Sequence, residues 1–192
     1  MKKFTKVIIE DIPNLVKTTT RSINALVWHC SATPEGREVT PQEVEVWHKG
    51  RGFAEIGYNL FFALNGDVYM CRDWNKIPAH VVGFNSKTLG FCYAGGTDKV
   101  GKPKDTRTSE QVISMLAFTK AVRDEIKKQK NNTISVKGHR DYSPDKNGNG
   151  KIESFEWMKS CPSFDVETEL VSKLWLTQLK ITTWELSYIN YY

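Results

Sequence analysis

Apolar positions along the chain fall into short unbroken runs, separated by stretches with helical periodicity. Residues 23–30 (Ile-Asn-Ala-Leu-Val-Trp-His-Cys) form a run ending in polar residues, the pattern of a buried strand that delivers His29 at its C-terminal end. Thr40-Pro41-Gln42-Glu43 opens a helix, because Thr caps, Pro takes the first helical position and Glu43 completes a capping box. That helix runs to about Lys49 and stops at Gly50, which makes His48 a surface residue. Tyr58–Leu64 and Asp67–Arg72 flank Asn65-Gly66. Both central residues of a type I′ turn need positive φ, which Asn-Gly tolerates, so this segment predicts a β-hairpin with that turn. A further strand is expected over Thr88–Tyr93, and residues 97–107 read as an exposed loop.

The clearest helix runs from Thr108 to Lys130. Thr108 caps it with Gln111 answering three residues later, and Val112, Met115, Leu116, Val122 and Ile126 share one face. Lys127, Lys128 and Lys130 sit in the last turn, where cations favour the helix dipole. Residues 134–137 form a short strand leading into Gly138-His139. Beyond residue 166, Val171, Leu174, Trp175 and Leu179 recur at helical spacing, and 182–192 has strand-like composition. Strands and helices alternating through mixed connections predict an α/β fold: a single domain whose central mixed β-sheet is flanked by α-helices. Residues 1–170 are assigned to this domain and 171–192 to a C-terminal extension packed on it.

Composition narrows the picture modestly. With 192 residues, 40% apolar and 26% charged, the chain suits one globular domain and not a disordered or fibrous one. No apolar stretch reaches the length of a membrane span. Lys+Arg of 27 against Asp+Glu of 22 leaves a charge of +5, which fits an anionic partner, nucleic acid or cell-wall polymer, without choosing between them. Lys2 and Lys3 open the chain as in a secretory signal, but the apolar run is only Val7 to Ile9 before Glu10 and Asp11. No export signal is read there. Synthesis in a reducing cytoplasm is expected, with Cys30, Cys71, Cys92 and Cys161 as free thiols or metal ligands.

Two features carry chemistry. Residues 145–156 (Asp-Lys-Asn-Gly-Asn-Gly-Lys-Ile-Glu-Ser-Phe-Glu) fit a twelve-residue EF-hand loop. Asp145, Asn147, Asn149, Glu153 and Glu156 occupy the side-chain ligand positions, Lys151 offers its backbone carbonyl, and Gly150 makes the sharp turn. Tyr142-Ser143-Pro144 breaks the helix that normally precedes such a loop. The reading is an isolated calcium loop that orders the arm beyond it, against the plainer alternative of an Asn/Gly-rich turn.

The second feature is a set of motifs in order: Val27-Trp28-His29-Cys30-Ser31-Ala32-Thr33, Ile56-Gly57-Tyr58-Asn59, Gly138-His139-Arg140-Asp141 and Lys159-Ser160-Cys161-Pro162. Together they resemble the zinc-dependent N-acetylmuramoyl-L-alanine amidases, the group of phage endolysin amidases and peptidoglycan recognition proteins, over roughly residues 20–170. The resemblance implies Zn²⁺ held at strand ends by His29, His139 and Cys161, with a fourth position left for water. It implies catalytic roles for Tyr58, as a hydrogen-bonding group, and Lys159, as a charge facing the developing oxyanion. His80 and Asn85, in Ala79-His80-Val81-Val82-Gly83-Phe84-Asn85, correspond to a segment lining the substrate groove. The implied partner is bacterial peptidoglycan, not nucleic acid. The implied activity is hydrolysis of the bond between N-acetylmuramic acid and L-alanine by a monomer acting as a phage or prophage lysin. A peptidoglycan-binding module without turnover is the competing reading, and Cys161, Tyr58 and Lys159 argue against it.

Overall fold

Strand β2 (Ala25–Cys30) is buried at all six positions, as a central strand covered on both faces must be. Its alternate residues face the larger of two cores. Leu26, Trp28 and Cys30 join Leu60 and Phe62, Leu89, Phe91 and Tyr93, and the inward face of a long helix through Met115, Phe118, Val122 and Ile126. On the other face, Phe61 and Cys92 pack with Val39, Val44 and Ile56. The computed structural model describes residues 3–176. Expectations for Leu179 and 182–192, and for the Trp175 side chain, lie outside what is described.

Among the described residues the main sheet has six strands. In chain order they are β1 (Thr5–Lys6), β2, β4 (Leu60–Phe62), β5 (Val68–Met70), β6 (Thr88–Tyr93) and β8 (Ser135–Gly138). Their spatial order is β1-β5-β4-β6-β2-β8. Strands β4, β6, β2 and β8 run parallel, while β5 is antiparallel to β4 and β1 to β5. This is the expected mixed sheet. A second, two-stranded parallel sheet pairs β3 (Thr33–Pro34) with β7 (Gly96–Thr97). It was not foreseen, and it takes the start of the 97–107 loop. There Thr97 bridges Pro103, and Thr106 is buried.

Helices α1 (Ile12–Thr18) and α3 (Ser109–Lys130) cover one face through Ile12, Val16 and the α3 residues above, and α2 (Pro41–Gly50) contributes Val44 to the other. Both expected capping boxes form. The Thr40 hydroxyl accepts from Glu43 N–H at 3.2 Å while Glu43 accepts from Thr40 N–H at 2.9 Å, and Thr108 and Gln111 repeat the exchange at 3.0 Å each way. Gln111 also donates to the Phe62 and Ala94 carbonyls, so the capping residue ties α3 to the ends of β4 and β6. A π-helical turn (Glu167–Val171) leads into α4 (Ser172–Leu176), with Leu170 and Leu174 buried.

The hairpin at Asn65-Gly66 forms with a different turn. Only Gly66 has positive φ, at 80°; Gly66 N–H returns to the Ala63 carbonyl and Ala63 N–H to Asp67. This is a type I turn closed by a glycine bulge, where one left-handed residue suffices. Asn65 stays at ordinary φ and accepts from Asp67 N–H through its side chain.

Candidate active site

The parallel register of β2 and β8 pairs Trp28 with Gly138, so the next residues, His29 and His139, emerge side by side at the strand ends. Their ring centroids lie 4.7 Å apart. Cys161 comes from the arm after β8, pinned at several points. Arg140 N–H donates to the Cys161 carbonyl at 2.8 Å, and the Tyr93 hydroxyl donates to the Pro162 carbonyl at 2.6 Å. The Arg140 guanidinium pairs with Asp165 at 2.7 Å and lies over the Trp157 ring. The ligand atoms of His29, His139 and Cys161 all fall within 4.8 Å of one another, a grouping placed to hold a metal ion. Two imidazole nitrogens and one sulfur form the donor set that zinc accepts in tetrahedral sites, with one position open.

Electrostatics keep the imidazoles available as ligands. Burial, then the neighbouring His80 and His139, holds His29 well below its ordinary value. Burial and then Lys159 bring His139 down to about 4. Both rings are therefore neutral near pH 7. The hydrogen bond shared with Cys30, then burial, pushes the Cys161 thiol up. Were Cys161 to ligate a metal, it would release a proton. The Cys30 N–H already points at the Cys161 sulfur, 3.3 Å away. No disulfide joins any of the four cysteines.

His139 and Cys161 line a cleft of about 380 Å³ together with Tyr58, His80, Lys159, His48 and Arg51, and the buried His29 lies against the Tyr58, His80 and His139 rings. The Tyr58 ring sits 5.0 Å from His29 and 5.2 Å from His48. Burial raises its phenol well above the ordinary value, so it is a proton-bearing hydrogen-bond donor. Lys159 is exposed at the cleft.

Two sequence expectations change here, and a third gains detail. His48 is buried, not on the surface: it shares the inward face of α2 with Val44, and its Nδ1 accepts the Gly57 N–H at 2.8 Å. The Val44/His48 spacing of four was the signal available for this. Asn85 does not line the cleft. Its side-chain oxygen accepts the His80 and Val81 N–H groups at 2.9 Å each, so it shapes the turn that presents His80. His80 does line the cleft, but both its ring nitrogens have protein partners, His29 at 2.8 Å and Thr88 at 3.0 Å.

The 145–156 loop is closed by its own hydrogen bonds. Glu156 is fully buried and accepts from Lys146, Asn147 and Glu153 N–H groups. Asp145 accepts from Gly148 and Gly150, and Asn147 and Asn149 each accept from the residue two further on. Glu153 accepts from the side-chain amides of Asn147 and Asn149. Among the described residues, the carboxylates of this loop are not gathered as the His29–His139–Cys161 group is.

A mixed α/β sheet brings two imidazoles and a thiol together beside an open cleft, a group that could hold a metal ion. The pattern of the N-acetylmuramoyl-L-alanine amidase family matches residues 19–163, which include every group of the cleft named above. The chain is 30% identical to the endolysin of Enterobacteria phage K11 over 139 residues, 72% of this chain and 80% of that protein. It is 31% identical to the endolysin of Klebsiella phage KP32 over the same shares. The fold is also that of the N-acetylmuramoyl-L-alanine amidase LysCS of Clostridium intestinale, with a TM-score of 0.56 at 20% identity, covering 84% of this chain and 86% of that one. The chain belongs to the N-acetylmuramoyl-L-alanine amidase family. It is an enzyme that cleaves the amide bond of peptidoglycan.

Proposed function

We propose that this amidase is zinc-dependent, that His29, His139 and Cys161 hold the ion, and that Tyr58 and Lys159 act on the scissile amide between N-acetylmuramic acid and L-alanine. The observation that carries this reading is the convergence of the three donor atoms within 4.8 Å of one another, two of the three residues lining a cleft shared with Tyr58 and Lys159. When bound, zinc supplies a Lewis acid for the carbonyl and acidifies the attacking water. Tyr58 keeps its proton and donates to the oxygen that gains charge, in a low-dielectric wall where a fixed donor counts most. Lys159 places a positive charge at the same cleft and stabilises the tetrahedral oxyanion through its field. His80 reaches the substrate groove only with its ring carbons, since both nitrogens are occupied. Elemental analysis of the purified protein should find stoichiometric zinc, lost in Cys161→Ser. A parent protein that takes up no zinc would refute the reading.

We assign 1–170 to the catalytic domain, with 145–156 inserted and 171–192 as a C-terminal extension. We infer a monomer that reaches the cell wall as a lysin, as the name of its endolysin relatives supports. Calcium binding by 145–156 rests on the twelve-residue pattern alone. Calorimetric titration with Ca²⁺ decides it: heat of binding in the parent, lost in Asp145→Ala/Glu156→Ala, supports the site, and its absence in the parent removes calcium from the account.

A further inference from the structure

His29 is positioned by a chain of hydrogen bonds whose direction can be worked out from its far end. The Thr88 hydroxyl lies 3.0 Å from the Phe84 carbonyl and 3.0 Å from His80 Nε2. A carbonyl only accepts, so the single hydroxyl proton goes to Phe84 and the Thr88 oxygen must accept from His80 Nε2–H. His80 then carries its proton on Nε2, leaving a lone pair on Nδ1. That Nδ1 is 2.8 Å from His29 Nε2, which must therefore be the donor. His29 is left with its lone pair on Nδ1, the atom 3.7 Å from the Cys161 sulfur and facing it.

We propose that His80 is a positioning residue for the metal centre, fixing the tautomer and angle of His29 so that Nδ1 is presented to zinc. The inference rests on the zinc reading above. Three further features hold the His80 ring in place. The Asn85 side chain takes the backbone N–H of His80 and of Val81. Arg21 donates to the Asn85 and Thr88 carbonyls at 2.9 and 3.0 Å. Gly90 lies against the ring, where a Cβ would stand 2.7 to 3.0 Å from His80 Cγ, Cδ2 and Nδ1; only glycine leaves this space. A ring free to rotate for substrate would need none of this. Partners that orient a metal-bound histidine strengthen metal affinity by about 10- to 100-fold.

The test compares three variants. Asn at position 80 carries an oxygen close to where Nδ1 stood and can accept from His29. Gln places its polar group near Nε2 and keeps only the Thr88 side. Leu removes both. Zinc affinity is measured by competition with a chromophoric chelator, alongside the thermal midpoint of the metal-free proteins and imidazole ¹⁵N spectra. His80→Gln and His80→Leu should bind zinc about 10- to 100-fold more weakly, and His80→Asn should recover most of that loss. In the metal-free parent the His29 proton should be found on Nε2, and in His80→Gln it should be distributed over both nitrogens. Parent-like affinity in a folded His80→Gln protein overturns the inference. So does an equal loss in His80→Asn and His80→Gln, or a parent His29 protonated on Nδ1. If Thr88→Val, which keeps the His80 ring but frees its Nε2–H, lowers affinity as well, the chain is supported even should the position-80 variants fold poorly; unchanged affinity there counts against it. A parent that binds no zinc defeats the zinc reading and this inference with it, whereas a zinc-binding parent with unaffected variants defeats this inference alone.

Discussion

Replacing Arg21 by Met keeps an aliphatic stem and removes a guanidinium that donates to five carbonyls. Those of Trp74, Asn85 and Thr88 are partly buried, whereas those of Lys76 and Ser86 are exposed. The exposed pair can exchange the lost bond for water. The other three lose about 1 kcal/mol each, the low end for a partly buried acceptor left unpaired, or about 3 kcal/mol together. For a chain of this length each kcal/mol lowers the melting midpoint by about 2–4 °C, so the expected fall is about 6–12 °C. Differential scanning calorimetry of the metal-free protein reads it directly. Arg21→Lys keeps the charge but not the planar fork, and should fall between parent and Arg21→Met. A shift below about 2 °C in Arg21→Met would show that water replaces all five bonds, refuting the view that this side chain ties the entry of β2 to the turns around the cleft.

Other outcomes follow from the same geometry. Tyr58→Phe keeps the ring packed against His29 and His48 but removes a donor, so kcat should fall about 10²- to 10³-fold with zinc content and melting midpoint unchanged. Unchanged turnover would exclude the hydroxyl from the chemistry. Backbone N–H groups of Glu153, Lys146 and Asn147 hold the Glu156 carboxyl below its ordinary value of 4.5. A depressed carboxyl stabilises fully above its unfolded value and loses that contribution as pH falls through the folded value. The amide resonances of Lys146, Asn147 and Glu153 should therefore titrate together with a midpoint below 4.5; a midpoint at or above that value contradicts the account. Because the Cys161 thiol must lose its proton on ligation, zinc affinity should weaken as pH falls below neutrality, and a pH-independent affinity would argue against thiolate ligation.

Much of this architecture is legible in local pattern. The unbroken apolar run before His29 predicts a buried strand, and β2 is buried at all six positions, paired with β6 on one side and β8 on the other. The Thr40 and Thr108 boxes predict α2 and α3 to within a residue or two, since a cap depends on neighbours three positions apart. Features made by distant contacts were not legible. Helix α1 is seven residues long, and strands β3 and β7 are two residues each, too short for any periodicity. The Asn65-Gly66 pair signals a hairpin but does not choose between two turns that both accept glycine.

The site divides in the same way. The motifs containing His29, Tyr58, His139, Lys159 and Cys161 are readable in order, and the fold brings the last four to one cleft with His29 packed against the His139 and Tyr58 rings. What supports them is not readable. His80 lines the cleft as its segment implies, but nothing local links it to His29, 51 positions earlier, and the turn that occupies the Asn85 side chain is not legible either. For His48 the only local sign of burial is its spacing of four from Val44, and the burial itself depends on Gly57 and Tyr58 closing over α2.

The most direct test of the central claim is to digest purified peptidoglycan with the zinc-loaded protein and identify the new ends. The account predicts new amino-terminal alanine without new reducing sugar ends, abolished by chelation or by Cys161→Ser and restored to the chelated parent by added zinc. New reducing ends, or no released alanine termini from protein shown to contain zinc, would contradict it.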